Sequence, residues 1–351
     1  MQTHGWRNFR NRWKMGSAPA IVVGLMRFNH SRLEEIKMKS MRMSKYLLPV
    51  IILLLGLRLA EAADPSRLIV FGDSLSDSGN AFVMTHNVSF PPFELIPSAP
   101  YARGGLHFTN GPTWVELLGR RMHLGLSTGP ALLAPRIFSN YAVGAARARQ
   151  VGTASLATQV GWFLHDTGSV APSDALYIVY LGNNDIRDAL TALSTDPSGA
   201  ASGAILVEAL SVLRDNLLAL YGAGARRFLI PNAPNLALVP AVRLQTPQAQ
   251  GAALWLTTNF NLGLAQLLSG LEGSVPVKIT RLDIFALLDE VVAQPGSFGF
   301  ADVEHSCITP DTLRGAYCVS PDSYLFWDGV HPTRSGHAVL AQRAYAVLQQ
   351  P

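Results

Sequence analysis

Two short apolar runs in this sequence end in the same way, and that ending constrains the fold more than any other feature. Residues 68–71 are followed by Gly-Asp-Ser at 72–74, and residues 175–181 by Gly-Asn-Asn-Asp at 182–185. Uninterrupted apolar runs of this length are typical of strands buried on both faces. In open α/β sheets the functional groups lie just beyond the carboxyl ends of such strands. We therefore expect one site that gathers residues from both strand ends.

Helical patterns alternate with these strands along the rest of the chain. The first predicted helix begins near Gly111-Pro112. Further helices are predicted at residues 156–164, 204–221, 248–271 and 284–292. A last helix ends at Leu348 and is capped by Thr333 or Ser335. The other predicted strands are 227–231 and 277–282, with a short extended segment at 137–143 and a loop at 295–322. Strands that alternate with helices predict a mostly parallel sheet covered on both faces.

The first 62 residues have the pattern of a leader. Residues 41–62 combine a basic start, an apolar core too short for a comfortable membrane span, and Ala-Glu-Ala at 60–62, which is typical of a signal-peptide cleavage site. We interpret residues 1–40 as a non-structural upstream extension, 41–62 as a signal peptide and 63–351 as a single domain. The protein is then secreted or periplasmic.

Removal of the leader changes the sign of the net charge. The 351 residues carry 28 Lys and Arg and 24 Asp and Glu, of which 11 basic and 3 acidic residues precede residue 63. The remaining 17 basic and 21 acidic residues give a net charge of −4. A mildly acidic domain without a basic cluster argues against nucleic acid as a partner.

The two cysteines of the chain are Cys307 and Cys318. In an oxidising compartment, two cysteines this close together predict a disulfide that closes a short loop. The alternative is a metal site that also uses Asp302 and His305, which is disfavoured because the chain has no Cys-x-x-Cys pair.

Ser74 is the candidate nucleophile, because it follows the first buried strand directly. A serine hydroxyl needs an imidazole base that is oriented by a carboxylate. Asp328 and His331 are three residues apart before the last helix, and this spacing lets the carboxylate reach the imidazole. The oxyanion needs preset donors. The candidates are the backbone N–H groups of Ser74 and Gly144 and the side-chain amide of Asn184.

Four segments together resemble the GDSL-type members of the SGNH hydrolase superfamily. They are Gly-Asp-Ser-Leu-Ser-Asp-Ser-Gly-Asn at 72–80, Asn-Tyr-Ala-Val-Gly-Ala at 140–145, Gly-Asn-Asn-Asp at 182–185 and Asp-Gly-Val-His at 328–331. The resemblance implies that residues 63–351 form one SGNH hydrolase domain, a three-layer α/β/α sandwich with a flavodoxin-like sheet. It also implies a cofactor-free ester hydrolase.

The same resemblance implies a role for each candidate residue. Ser74 would be the nucleophile and His331 its base, with Asp328 orienting the imidazole. The Ser74 N–H, the Gly144 N–H and the Asn184 side chain would form the oxyanion hole. Asp73 and Asp77, which flank the serine, are expected to fix the turn around it.

Finer features resemble the bacterial secreted lipase, phospholipase and acyltransferase branch of that superfamily. These features lie at residues 108–115, 175–179 and 224–231. Two positions depart from the branch: Gly-Gly-Leu-His-Phe at 104–108 replaces its Gly-Arg-Phe, and Ala145 stands where a second Gly is common. The branch implies a lipid or phospholipid substrate and is compatible with transient contact with a membrane surface. The sequence carries no signal for the oligomeric state.

Three other functions remain open. Acyl transfer to an alcohol or sterol and carbohydrate O-acetyl or aryl ester hydrolysis would use the same triad. A non-catalytic lipid- or glycan-binding relative is disfavoured because every catalytic position is intact.

Within the chain, Ser127 lies in a competing Gly-x-Ser-x-Gly motif, but a helix precedes it and Pro130 follows it, whereas a nucleophile elbow requires a strand and then a helix.

Overall fold

The computed structural model describes residues 64–350, so the predictions for the leader lie outside this part of the chain. Within residues 64–350 no helix is long and apolar enough to cross a bilayer. Four parallel strands form the central sheet in the order β1-β2-β3-β4. They are β1 (Leu68–Gly72), β2 (Leu176–Tyr180), β3 (Arg227–Pro231) and β4 (Lys278–Leu282).

A fifth, irregular segment borders β1 on its free edge. Val70 N donates to Ser139 O (3.0 Å), and Tyr141 N donates to Val70 O (2.8 Å). When this segment is counted as the second strand, the order along the sheet becomes 2-1-3-4-5, which is the flavodoxin-like order. The predicted parallel sheet and its flavodoxin-like topology are confirmed.

Helices cover both faces of this sheet. They are α1 (Asn80–Thr85), α2 (Trp114–Arg121), α3 (Leu156–Asp166), α4 (Asn183–Ala192), α5 (Ala200–Ala223), α6 (Pro240–Arg243), α7 (Pro247–Ser274), α8 (Ile284–Ala293) and α9 (Arg334–Leu348). Short 3-10 turns lie at Gly125–Thr128, Leu236–Leu238, Pro295–Phe298 and Pro321–Ser323.

Two buried clusters give the three layers their cohesion, and β1 contributes to both. Ile69 and Phe71 point to the face covered by α3, α5 and α7. Leu68 and Val70 point to the face covered by α2, α8 and α9. Alternate residues of a strand face opposite sides of a sheet, so a strand with helices on both sides is apolar throughout.

Several local predictions need correction. The helix expected at Gly111-Pro112 begins at Trp114, because Thr113 is its N-cap and forms a capping box with Glu116. The stretch 295–322 is not only a loop, since β5 (Asp302–Ser306) pairs with β6 (Tyr324–Phe326) in a small parallel sheet. Thr333, and not Ser335, caps α9 by accepting a hydrogen bond from Gly336 N.

Candidate active site

A tight turn after β1 presents Ser74 at the carboxyl edge of the sheet. The carbonyl oxygen of Asp73 accepts hydrogen bonds from Ser76 N and Asp77 N, both at 3.0 Å. A Cβ atom at Gly72 would come within 2.9 Å of the Ser76 Cβ atom. The chain can therefore reverse directly at the end of the strand only because residue 72 has no side chain.

A second turn, from Asp328 to His331, provides the other two side chains of the predicted triad. Asp328 Oδ1 accepts from Val330 N (2.9 Å) and His331 N (2.7 Å). Its Oδ2 lies 2.7 Å from His331 Nδ1, and His331 Nε2 lies 2.7 Å from Ser74 Oγ. The structure brings the three predicted residues into one chain of contacts across 257 residues of sequence. A carboxylate on Nδ1 holds the imidazole with Nε2 directed at the hydroxyl.

Tyr101 completes the environment of Asp328, and no sequence motif assigns it a role. Its hydroxyl donates to Asp328 Oδ2 at 3.0 Å, so the carboxylate, which is fully buried, has four donors. Burial, and then the Asp328 charge, raises the pKa of Tyr101. The ring packs edge-on against Phe93 and Trp327. The only sequence signal was the aromatic content of the loop at 90–101.

Phe108 lies between His331 and the second motif. Its ring centroid is 5.5 Å from that of His331. A Cβ atom at Gly144 would lie 2.3 Å from the Phe108 ring. Residue 144 is therefore glycine because the ring that packs on His331 occupies the space of a side chain.

The predicted oxyanion donors differ in what they already bind. Within residues 64–350 the backbone N–H of Ser74 has no acceptor, and the Asn184 side chain uses one amide hydrogen on Ala146 O (2.9 Å). The Gly144 N–H, in contrast, donates to the Asp77 carboxylate at 2.8 Å. The next N–H, that of Ala145, has no acceptor in the described chain, and Ala145 has a left-handed backbone (φ 63°).

Asp77 and its neighbours tie the first and second motifs together. The buried carboxylate of Asp77 accepts the N–H groups of Gly79, Asn80, Ala81 and Gly144. The Asn80 amide donates to Asn140 O and Ala142 O, both at 2.8 Å, and the Asn140 amide donates to Ser76 O at 2.7 Å. Burial raises the pKa of Asp77, although the four N–H donors oppose it. Asp77 thus has the turn-fixing position expected of it.

Asp73 has a different environment from Asp77. It is 1% exposed, and within residues 64–350 it accepts from two donors, Leu75 N (3.0 Å) and the Asn183 amide (3.1 Å). Burial raises the pKa of Asp73 from 3.8 to about 6, against the effect of these two hydrogen bonds. A carboxyl with a raised pKa therefore lies one residue before Ser74.

An apolar cavity, whose empty volume of about 580 Å³ includes space open to solvent, lies beside the turns that carry Ser74 and His331. Two of its lining residues, Leu75 and Val330, are the chain neighbours of Ser74 and His331. Leu287 from α8 and Val339 from α9 line it as well.

The competing serine and the cysteines have structural roles. Ser127 Oγ donates to Leu124 O (2.6 Å) and accepts from Leu68 N (3.2 Å), so its hydroxyl is committed to the backbone. Cys307 and Cys318 form the predicted disulfide. Because the two sulfur atoms are bonded to each other, neither is left as a thiolate for the alternative metal site with Asp302 and His305.

Comparisons with known proteins identify the family of the chain. The family model for GDSL-like lipase/acylhydrolase matches residues 68–344. Two GDSL esterase/lipases of Arabidopsis thaliana are 28% and 25% identical, over 79% and 80% of this chain and 87% and 81% of their own. An acetylxylan esterase of Geobacillus stearothermophilus aligns in structure with 82% of this chain and 96% of its own, at 15% identity and a TM-score of 0.42. From the family match, the chain belongs to the GDSL-like lipase/acylhydrolase family and is a carboxylic ester hydrolase.

Proposed function

We propose that this protein hydrolyses acyl esters through an acyl-enzyme on Ser74. The observation that carries the proposal is the unbroken contact chain from Ser74 Oγ through His331 to Asp328, with both atom pairs at 2.7 Å. A hydroxyl within hydrogen-bond reach of an oriented imidazole is the arrangement that activates a serine.

The reaction follows from the atoms in place. His331 Nε2 takes the proton of Ser74 as the Oγ atom attacks the ester carbonyl. The Ser74 N–H and the free amide hydrogen of Asn184 stabilise the oxyanion. The third donor is the Ala145 N–H in the turn at 144–145, since the Gly144 N–H binds Asp77. The imidazolium then protonates the leaving alcohol. Water, activated by His331, releases the acyl group and restores the hydroxyl.

The acyl group of the substrate is a lipid chain. The cavity lined by Leu75, Val330 and residues of α8 and α9 is apolar, and burial of each methylene group contributes about 0.8 kcal/mol. Hydrolysis of long-chain esters is therefore favoured over removal of acetyl groups from carbohydrates. Transfer of the acyl group to an alcohol or sterol acceptor would use the same cavity.

The protein acts outside the bacterial cytoplasm. The disulfide between Cys307 and Cys318 supports this location, because disulfides persist in oxidising compartments. The leader pattern at residues 41–62 supports it independently, and sequencing of the secreted protein should begin near residue 63. A start near Met1 would contradict the proposed signal peptide.

Two serine variants test the mechanism. Ser74→Ala should lower ester hydrolysis at least 1,000-fold, since removal of a nucleophile leaves only binding and oxyanion stabilisation. Ser127→Ala is the matched control and should retain activity, because that hydroxyl binds only backbone atoms. Full activity of Ser74→Ala would end the proposal.

A second pair of variants tests the acyl cavity. Val339→Trp fills the cavity, and we expect it to lower kcat/KM for long-chain p-nitrophenyl esters roughly ten-fold more than for the acetate ester. Val207→Trp, on the exposed face of α5, is the control. Equal effects on long and short esters would place the acyl chain elsewhere.

A further inference from the structure

Arg187 lies on α4, the helix that begins beside the turn carrying Ser74. Arg187 is one helical turn after Asn183 on α4, so the two side chains share a face. Long helical side chains lean toward the N-terminus, which here is the end that meets the site. Asn183 contacts the Asp73 carboxyl at 3.1 Å, and Asp73 precedes Ser74. The charges of Arg187 and Asp73 also interact.

The Arg187 guanidinium has no hydrogen-bond or ion-pair partner among residues 64–350. The Asp73 carboxylate accepts from Leu75 N and the Asn183 amide, and within the same residues no hydrogen bond joins it to Arg187. A guanidinium has five N–H donors, and an acceptor for them is normally found when the group is partly removed from water. Burial, and then the nearby charge of Arg147, lowers the pKa of Arg187.

The neighbouring arginines have carboxylate partners. Arg147 binds Asp188 through two hydrogen bonds of 2.9 Å. Arg149 binds Asp185 at 2.9 Å and Asp188 at 2.6 Å. Both acids of α4 are therefore occupied by these two arginines. Arg187 remains as a cation whose donors are unused, beside a second cation.

We propose that Arg187 binds a phosphate group carried by the alcohol part of the substrate. This inference rests on the proposed ester hydrolysis and names the class of ester. The acyl chain occupies the cavity on the α8 and α9 side, whereas Arg187 lies on α4, which packs against the opposite face of the sheet. A phosphate oxygen pair matches the planar donors of a guanidinium, which binds such groups through two parallel hydrogen bonds.

The test compares two substrates with the same acyl chain, 1-acyl-glycerol 3-phosphate and the neutral 1-acyl-glycerol, at constant ionic strength. The measured quantity is the ratio of kcat/KM for the phosphorylated and the neutral ester. Arg187→Gln should lower this ratio roughly ten- to a hundred-fold, because charged hydrogen bonds are lost. Arg187→Lys should recover part of it. Arg214→Gln, on the exposed side of α5, is the control and should leave the ratio unchanged.

A binding measurement decides the question independently of turnover. Inorganic phosphate should raise the thermal unfolding temperature of the wild type and of Arg214→Gln, because a ligand that binds only the native state stabilises it. It should not raise that of Arg187→Gln. An equal phosphate effect in all three proteins, or an unchanged substrate ratio in Arg187→Gln, would overturn the inference. Absence of any hydrolysis that depends on Ser74 would instead refute the proposed function, and the phosphate measurement would still report on Arg187.

Discussion

Replacement of Asp73 by Asn should change how stability depends on pH. The carboxyl is buried, and Asn is nearly identical in shape. Asn183 Oδ1 is a buried acceptor without a hydrogen-bond partner in the described part of the chain. Rotation of the Asn183 amide would direct this oxygen at the NH2 group of the new side chain, while Leu75 N keeps its acceptor. We therefore expect Asp73→Asn to fold with both hydrogen bonds at residue 73 kept.

The magnitude follows from the pKa of Asp73, which burial raises from 3.8 to about 6. Between pH 4 and pH 6 the native state then binds more protons than the unfolded state, so stability falls as pH rises through this window. A pKa difference of about two units, at about 1.4 kcal/mol per unit, lowers the free energy of unfolding of the wild type by about 3 kcal/mol by pH 8. The Asn variant cannot titrate and avoids this loss.

Urea denaturation at pH 4 and pH 8 measures the effect. Relative to the wild type, the free energy of unfolding of Asp73→Asn should be about 3 kcal/mol higher at pH 8 than at pH 4. Asp215→Asn, at an exposed position on α5, controls for the removal of an acidic residue. An equal difference between variant and wild type at both pH values would refute the reasoning, because it would mean that Asp73 titrates normally.

Three further substitutions test individual contacts of the site. Tyr101→Phe removes the hydroxyl that donates to Asp328, and urea denaturation should show a loss of about 1.5 kcal/mol; unchanged stability would show that this hydrogen bond has no net value. Asp77→Asn leaves one acceptor oxygen for four N–H groups, and the same measurement should show a loss of about 3 kcal/mol or more. A smaller loss would mean that the Gly144 turn finds another acceptor. Ala145→Gly relieves a left-handed backbone at some entropic cost, and the melting temperature should rise by an amount equivalent to about 0.5 kcal/mol. A lower melting temperature would contradict the strain at this position.

The sequence was most informative where several residues repeat one pattern. The apolar runs of β1 and β2 predict the parallel sheet, since a strand covered on both faces has no polar positions. The strand at Arg227–Pro231 was predicted with its observed bounds. Helices α1 and α4 were missed because they begin directly after glycine and polar residues, which by themselves indicate a loop.

Individual contacts across the fold were less predictable. Tyr101 and Asp328 are 227 residues apart, and no local pattern connects them. The commitment of the Gly144 N–H to Asp77 also depends on how two distant turns meet. Ala145 stands where a second Gly is common, and its left-handed backbone is a local strain that the sequence does not indicate. Such contacts follow from tertiary packing, to which spacing along the chain gives no access.

The hydrogen bonds between the first two motifs have a consequence for recombination between relatives. Asp77 and Asn80 bind backbone groups of the second motif, and Asn140 binds a backbone group of the first. The three side chains are fully buried, so water cannot replace these hydrogen bonds. A chimera that takes residues 72–80 from one relative and residues 140–145 from another would combine two segments whose hydrogen-bonding groups do not match. The two motifs should therefore be exchanged together, although about sixty residues separate Asn80 from Asn140.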